Sequence, residues 1–308
     1  MAADGAGAPA ARPPRRGAPT LALCNEVIRE LEPRAQFELA ARLGYDALEL
    51  APFTLTDDPR SLTSGEVKAT RRHAAAAGVR VSSLHWLLTA PAGLSITSAD
   101  PAVRRETLAV MIALIRLCAD LGGSVLVHGS PQQRRLGGED PGGDRARAVE
   151  AFALAAREAE SCGVTYCIEP LSPRETDFLT TVAEAAEVVR TIGSPALRTM
   201  LDTRAARLGE AEPVAEVLRA GLASGMIAHV HLNDSSGLAP GQGEDDFVGV
   251  LATLARSGYA GVAAVEPFTY TPDGPTSAAF AAGYVRGLWE GVARAPAVGA
   301  AAAGSAAS

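Results

Sequence analysis

The sequence predicts one (β/α)8 TIM barrel of the α/β class, because short apolar segments alternate with helical segments eight times along the chain. Each apolar segment has the length of a strand that is buried on both faces. Many of the helical segments end in a glycine just before the next strand, as at Gly44, Gly78 and Gly122, and this is the usual signal of a helix C-terminus. No break in composition divides the alternation, and a barrel of this kind has about 250 residues.

The elements are assigned in order from these apolar runs and the periodic segments between them. The predicted strands are Leu21–Cys24, Ala47–Leu50, Val79–His85, Ser124–His128, Val164–Glu169, Leu197–Asp202, Ile227–His231 and Gly261–Glu266. The predicted helices are Arg34–Leu43, Ser64–Ala77, Pro101–Leu121, Asp144–Cys162, Val182–Ile192, Pro213–Ser224, Asp245–Ser257 and Thr276–Glu290. A doubly wound sheet is the structural alternative, but the first strand lacks the glycine-rich turn that such dinucleotide-binding folds carry.

The predicted barrel spans residues 19–295 as a single domain. Residues 1–18 and 296–308 are rich in Ala, Gly and Pro without periodicity, so we expect a disordered N-terminal arm and a disordered C-terminal tail. The arm carries three arginines but no apolar segment after them, and it therefore does not resemble a secretory signal.

Composition excludes several classes of protein. The longest apolar stretches are shorter than the ~18–20 residues of a membrane-spanning helix. A net charge of −7, from 28 basic and 35 acidic side chains, argues against nucleic-acid binding. The four cysteines lack metal-finger spacing and predict reduced thiols in a cytoplasmic protein. Lys68 is the only lysine and lies within a predicted helix, which disfavours Schiff-base chemistry.

Four successive predicted strands end in a residue that can bind a metal. The fifth to eighth strands finish in Glu169, Asp202, His231 and Glu266, spaced by about one βα unit each. Active sites of such barrels lie at the carboxyl ends of the strands. Three buried carboxylates facing one mouth would repel each other, and a divalent cation removes that repulsion. The set predicts one Mn²⁺ ion first, with Mg²⁺ or Co²⁺ as alternatives.

The seventh strand offers two histidines. His229 and His231 point to the same side of the strand because they are two residues apart. His231 is nearer the mouth and is the predicted ligand, whereas His229 is predicted to support it from one layer deeper.

These strand ends and the motifs around them resemble the sugar phosphate isomerase/epimerase superfamily of xylose isomerase-like TIM barrels over residues 20–292. The motifs are Ile168-Glu169-Pro170, Leu201-Asp202-Thr203, His229-Val230-His231-Leu232-Asn233-Asp234, Pro240-Gly241-Gln242-Gly243-Glu244 and Val265-Glu266-Pro267-Phe268. The resemblance implies that the four strand-end residues hold one divalent metal ion. It also implies that Glu169 and Glu266 are the catalytic acid/base pair that abstracts and returns a proton through an enediolate held on the metal.

The resemblance extends to one further glutamate and fails at two positions. Glu175 matches a glutamate that ketose 3-epimerases use near the substrate. Those epimerases carry a histidine where this chain has Ala205 and an arginine where it has Gly237, and both side chains normally contact substrate oxygens. Endonuclease IV, another member, needs three zinc ions and ligands that this chain lacks, so a nuclease is disfavoured.

Five further residues near strand ends are candidates for substrate binding. His85 and His128 end the third and fourth strands and are expected to project toward the mouth. Glu49 ends the second strand and matches a glutamate common in the superfamily, where it would orient the substrate or a ligand. Trp86 and Phe268 follow strand ends and could form an apolar wall over a sugar ring.

The resulting hypothesis is a metal-dependent sugar isomerase or epimerase of carbohydrate metabolism that acts on a ketose or a related polyhydroxy carbonyl compound. A dehydratase of the inosose or 3-dehydroshikimate type is an alternative, because it uses the same enolate and expels a hydroxyl group. A non-catalytic sugar-binding barrel is the third reading. The expected partner is a small sugar or polyol, with no nucleic acid and no membrane, and a homo-oligomer is left open.

Overall fold

Eight parallel strands close into one barrel in the computed structural model, which describes residues 17–137 and 139–294. Each strand pairs in parallel with the next, and β1 pairs with β8. The strands are β1 (Thr20–Cys24), β2 (Ala47–Leu50), β3 (Arg80–Leu84), β4 (Val125–His128), β5 (Thr165–Ile168), β6 (Leu197–Asp202), β7 (Ile227–Leu232) and β8 (Val262–Val265). The predicted fold class is confirmed.

Helices follow the strands and surround the barrel. Within the described residues they are α1 (Pro33–Leu43), α2 (Ser64–Ala77), α3 (Pro101–Leu121), α4 (Pro141–Cys162), α5 (Val182–Ile192), α6 (Thr203–Gly209), α7 (Val214–Ala223), α8 (Val248–Arg256) and α9 (Gly274–Arg294). Helix α6 has no predicted counterpart. The prediction also placed the start of α8 three residues too early, at Asp245.

The helix ends carry local signals that explain where the elements begin and stop. The Thr63 side chain and Glu66 form a capping box at the start of α2, which satisfies backbone N–H groups that the helix itself cannot pair. Asp100 caps α3 in a similar way by accepting from the Ala102 N–H. At the other end of α1 and α3, Gly44 and Gly122 adopt positive φ angles of 85° and 84°, which glycine adopts without steric cost.

Two apolar clusters fill the molecule. The larger lies between the strands and the helices and includes the β-strand residues Leu48, Leu84 and Leu126. A small separate cluster of β4, β5 and β6 residues lies inside the barrel and consists of Val125, Val127, Cys167 and Met200. The remaining interior, beneath β2, β3 and β7, is polar. The buried Glu49 and His229 lie in this polar part of the interior.

The predicted terminal segments lie almost wholly outside the described residues, with only residues 17 and 18 of the N-terminal arm included. All four cysteines are free. Among the helices that the structure describes, none combines the length and the apolar character needed to cross a membrane.

Gly274→Ala should destabilise the fold by about 1–3 kcal/mol. Gly274 begins α9, and a β-carbon there would overlap the carbonyl oxygen of Val27, which cannot move away without shifting the turn after β1. The matched control is Gly283→Ala in the same helix, where a β-carbon meets nothing within 4 Å. The control should gain about 0.5–1 kcal/mol from helix propensity. Urea unfolding of both variants checks this, and equal stability in both would contradict it.

Candidate metal and substrate site

The residues at the ends of β5–β8 converge at the carboxyl end of the barrel. One ligand-type atom from each of Glu169, Asp202, His231 and Glu266 lies within 4.8 Å of every other. All four residues are buried, and Glu169 is the most exposed at 7%. Bonds from oxygen or nitrogen ligands to divalent cations are about 2.0–2.6 Å long, so two ligands of one cation lie at most about 4–5 Å apart, and atoms at this spacing can share one cation.

His231 directs a ring nitrogen into the three carboxylates. Its Nδ1 lies 2.8 Å from Glu266, 3.5 Å from Glu169 and 3.9 Å from Asp202. None of these contacts has hydrogen-bond geometry, and Nδ1 is a buried atom without a hydrogen-bond partner. The other nitrogen, Nε2, is 2.7 Å from an oxygen of Glu49. The tautomer that donates from Nε2 to Glu49 leaves Nδ1 with a lone pair for a metal ion.

Glu49 lies beneath this cluster inside the barrel. Its carboxylate accepts hydrogen bonds from Ser83 and His231, and His229 Nε2 lies 2.8 Å from its second oxygen. Glu49 has no exposed surface. The prediction that Glu49 binds substrate is therefore not supported, whereas the alternative that it orients a ligand agrees with its contacts. His229 occupies the deeper position expected for it.

Glu169 is held by the loop that follows β4. Its backbone N–H donates to the carbonyl of His128 at 3.1 Å, and its own carbonyl accepts from the buried Arg134 guanidinium at 2.6 Å. The carboxylate packs against Gly129, where any β-carbon would overlap Oε2. A glycine at this position is therefore needed for the carboxylate to reach the cluster.

Asn233 connects Asp202 to Glu266. Asp202 Oδ1 accepts from the Ala205 N–H at 2.6 Å and so caps α6, while Oδ2 accepts from the Asn233 side-chain amide at 2.8 Å. The same amide nitrogen donates to the backbone carbonyl of Glu266 at 3.1 Å. These bonds fix the two carboxyl-bearing residues on either side of β7.

His85 bridges Glu266 to a second glutamate. Its Nδ1 lies 3.0 Å from Glu266 Oε1, and its Nε2 lies 3.0 Å from Glu26 Oε2. Glu26 belongs to the short 3-10 turn after β1 and is only 7% exposed, and its other oxygen is buried without a hydrogen-bond partner. His85 thus reaches the site as expected, through an acidic partner that the sequence did not reveal.

Burial and mutual charge set the protonation of the cluster. Burial, together with the charges of Glu169 and Glu266, raises the pKa of Asp202 to about 8. Burial also raises the pKa of Glu169. Burial alone would raise the pKa of Glu266 as well, but the neighbouring His231 and His85 outweigh it and lower that pKa to about 2.

The pKa values of the two histidines that face these carboxylates are also raised. Burial alone would lower the pKa of His85, but Glu26 and Glu266 raise it to about 10. Glu266 and Glu49 likewise raise the pKa of His231 well above its usual value, despite complete burial. Without a cation, the cluster therefore balances its negative charge by holding protons.

The structure does not bring His128 to the mouth. Its Nδ1 pairs with the Tyr166 hydroxyl at 2.7 Å, and its ring packs edge-on against Phe152 of α4 at a centroid distance of 5.1 Å. Burial and the charge of Arg134 lower the pKa of His128 to about 3, so it is neutral. The expectation that it projects toward the mouth is wrong, because His128 shares a strand face with Leu126, on the outside of the barrel.

Four other side chains line one side of the mouth. Trp86 and Phe268 meet edge to face at a centroid distance of 6.3 Å, as the predicted aromatic wall requires. The Arg204 guanidinium lies 5.2 Å from the centroid of the Phe268 ring and pairs with Glu175 at 2.7 Å. The sequence-predicted Glu175 therefore joins the aromatic pair through an arginine.

Sequence reasoning missed Glu26 and Asn233 and gave Arg134 no structural role. Glu26 lies two residues after the end of β1, where only a glycine-rich turn was sought. Asn233 lies two residues after His231 in a polar segment that follows a buried strand, and that position was a usable signal. The complete burial of Arg134 depends on the folding of its loop and leaves no mark in the sequence.

Comparison with known proteins places the chain among TIM-barrel enzymes. The model of the xylose isomerase-like TIM barrel family matches residues 37–287. A D-psicose 3-epimerase of Enterocloster bolteae is 31% identical over 231 residues, which are 73% of each chain. One of Ruminiclostridium cellulolyticum is 27% identical over 246 residues, covering 78% of this chain and 79% of that protein. A solved L-ribulose 3-epimerase superposes with a TM-score of 0.76 at 25% identity, covering 90% and 96% of the chains.

The free energy of unfolding of the metal-free protein should fall as pH rises from about 4 to 8. Asp202 has a pKa of about 8 when folded and 3.8 as a model group, so the folded state binds the extra proton in this range. One such proton gives a slope of up to about 1.4 kcal/mol per pH unit. Asp202→Asn should flatten the slope, while Asp57→Asn at an exposed loop position should retain it. Urea unfolding in excess chelator measures both, and an unchanged slope in Asp202→Asn would refute the assignment.

Proposed function

The chain belongs to the family of xylose isomerase-like TIM barrels, and on that premise we propose that it is a divalent-metal-dependent isomerase or epimerase acting on a ketose or a related polyhydroxy carbonyl compound. The observation that carries the proposal is the convergence of three carboxylates on the unpaired Nδ1 of His231. The names of the relatives, which are ketose 3-epimerases, support the class of substrate.

The donor set fits one divalent cation. Three carboxylates and one imidazole form an oxygen-rich set of the kind that Mn²⁺, Mg²⁺ or Co²⁺ accepts, with Mn²⁺ as our first choice. Glu169, Asp202, His231 and Glu266 would hold it. When bound, a divalent cation supplies a Lewis acid that acidifies the C–H bond next to the substrate carbonyl and stabilises the negative charge that develops.

In this proposal Glu169 and Glu266 move the proton. They follow β5 and β8, which are three strands apart around the barrel, and so they approach the mouth from different sides. One carboxylate can remove a proton from one face of the substrate carbon while the other returns a proton to the opposite face. Two acid/base groups on opposite faces are what inversion of a carbon centre requires.

The rest of the cluster prepares these two carboxylates. Asn233 and the Ala205 N–H hold Asp202, and Glu49 holds the His231 ring, so the two glutamates are positioned against fixed neighbours. The low exposure of all these residues excludes bulk water from the reacting carbon, which strengthens each charge interaction there.

A dehydratase is the second candidate, favoured by the Glu26–His85–Glu266 contacts. The pKa of His85, raised to about 10, keeps the imidazole protonated next to a proton-transferring carboxylate. A protonated group in this position can protonate a departing hydroxyl. Product mass separates the two reactions, because an isomer has the mass of its substrate and a dehydrated product is lighter by one water.

We further propose that the protein is cytoplasmic, where its four free cysteines would stay reduced. Its partner in this proposal is a small sugar or polyol rather than nucleic acid or a membrane.

Glu169→Gln and Glu266→Gln should each reduce turnover of a ketose such as D-psicose by at least about a hundredfold, because an amide cannot accept the proton. Turnover is followed by chromatography of the sugars and by uptake of solvent deuterium at the epimerised carbon. Glu216→Gln, an exposed glutamate of α7, is the matched control and should behave as the parent protein. Near-normal turnover in either site variant would remove the proposed acid/base pair. Absence of deuterium uptake in the metal-loaded parent would favour a non-catalytic sugar-binding barrel.

Removal of metal by a chelator should abolish turnover, and added Mn²⁺ should restore it. Metal binding should also release protons at pH 7, because in the metal-free cluster the pKa of Asp202 is raised to about 8 and that of His231 is raised well above its usual value. Calorimetric titration in buffers of different ionisation enthalpy counts these protons. Full turnover in protein shown by elemental analysis to be metal-free would exclude the metal-dependent reaction.

A further inference from the structure

Arg204 is the arginine whose side chain pairs with Glu175 and packs on the Phe268 ring. Its Nη1 lies 2.7 Å from Glu175 Oε1, and its Cζ lies 5.2 Å from the centroid of the Phe268 ring. Glu175 and Phe268 come from the loops after β5 and β8, and Arg204 comes from helix α6, which follows β6. Each follows a residue of the strand-end cluster by two or six positions. Arg204 is therefore directly adjacent to the proposed reaction centre without belonging to it.

The surroundings hold this arginine in one place. Its backbone N–H donates to Asn233 Oδ1 at 3.0 Å, and the same asparagine donates to Asp202. Glu175 is fixed in turn, because its Oε2 accepts from the Ser172 N–H at 3.1 Å and from the Ser172 hydroxyl at 2.6 Å. A guanidinium held between a fixed carboxylate and an aromatic face loses little freedom when it binds a ligand.

The fold does not need this pair for its stability. The side chains of Arg204 and Glu175 are 24% and 27% exposed, and ion pairs that water can reach contribute little to folding. The buried Nε of Arg204 has no hydrogen-bond partner. Phe268, on which the guanidinium rests, is 41% exposed, which is unusual for a phenylalanine unless its surface is used.

Small residues occur at two positions near Arg204 and Phe268 in the chain or in space. Ala205 follows Arg204 directly in the chain and carries only a methyl group. Gly237 lies against Phe268, because the Phe268 N–H donates a 2.8 Å hydrogen bond to the carbonyl of Gly237. Gly237 has a φ of 86°, which favours glycine over any larger residue.

We propose that Arg204, in its pair with Glu175, binds the hydroxyl groups at the unreacting end of a neutral, non-phosphorylated ketose and so determines the substrate specificity of the site. The inference rests on the proposed function and names its substrate class. The pair offers N–H donors and a carboxylate acceptor, which match the acceptor and donor of a hydroxyl group. Because Glu175 compensates the charge of Arg204, the pair offers no net positive charge for a phosphate. The neighbouring Arg135 is exposed, and its guanidinium donates to the backbone carbonyl of Glu175 rather than to the carboxylate of the pair.

The test compares Arg204→Ala with Arg207→Ala, an exposed arginine of the same helix. Arg204→Ala should raise the KM for D-psicose about tenfold or more, as expected when a charge-assisted hydrogen bond is lost, and should leave kcat within about threefold. Arg204→Lys, which retains the charge but replaces the planar guanidinium with an ammonium group, should recover part of this loss. Arg207→Ala should match the parent protein. A fall in kcat at constant KM, or an Arg204→Ala variant with parental KM, would overturn the inference.

The charge class is tested with D-fructose and D-fructose 6-phosphate. The parent protein should prefer the neutral sugar, and a preference for the phosphorylated sugar that Arg204→Ala abolishes would overturn the assignment of a hydroxyl site.

Equilibrium binding of D-psicose to the metal-loaded protein, read by calorimetry, does not depend on turnover. If the parent protein binds the ketose tenfold more tightly than Arg204→Ala but converts none of it, the proposed reaction fails while this subsite stands. If the parent protein converts the ketose and Arg204→Ala binds it as tightly as the parent does, the subsite fails and the reaction stands.

Discussion

Buried negative charge at the end of the barrel is the constraint on which the rest of the site depends. Glu169, Asp202 and Glu266 lie around one imidazole nitrogen with almost no access to water. Burial of three uncompensated carboxylates would cost several kcal/mol each, so compensation has to come from within the cluster. In the absence of a cation it comes from protons, which is why the pKa of Asp202 and that of His231 are both raised. A divalent cation could replace those protons, and the proposed proton transfer by Glu169 and Glu266 requires carboxylates in that unprotonated form.

The barrel interior is organised around this cluster. Beneath β4, β5 and β6 it is apolar, whereas beneath β2, β3 and β7 it holds Glu49, Ser83 and His229. Glu49 fixes the His231 ring from below, so Nδ1 cannot turn away from the carboxylates without breaking a buried hydrogen bond. The register adds to this, because Asp202 and His231 are partners across β6 and β7. Ligand geometry therefore follows from the pairing of strands and needs little help from the loops.

This division explains how far the sequence alone could predict the molecule. The strand-end cluster was predictable, because parallel strands in a closed barrel bring their carboxyl ends to one rim and the ligands recur once per βα unit. The face on which His128 lies was not predictable. In a strand with both faces buried, Val125, Leu126 and Val127 are all apolar, so the alternation that normally distinguishes inside from outside is missing. Helix α6 was also missed, because seven residues give too little periodicity and its cap is Asp202 itself.

Side chains of the segments that follow the strand ends can change without moving the strand-end cluster. Arg204 contributes to the site in two separable ways, since its backbone N–H pairs with the asparagine that holds Asp202 while its side chain reaches toward the mouth. A different side chain at this position would keep the backbone bond and hence the position of Asp202. The same holds for Phe268, whose N–H bonds to the Gly237 carbonyl whatever its ring contacts. In the proposed function, substrate preference can therefore diverge among barrels of this kind without moving the strand-end cluster, and the small residues at Ala205 and Gly237 are compatible with that cluster.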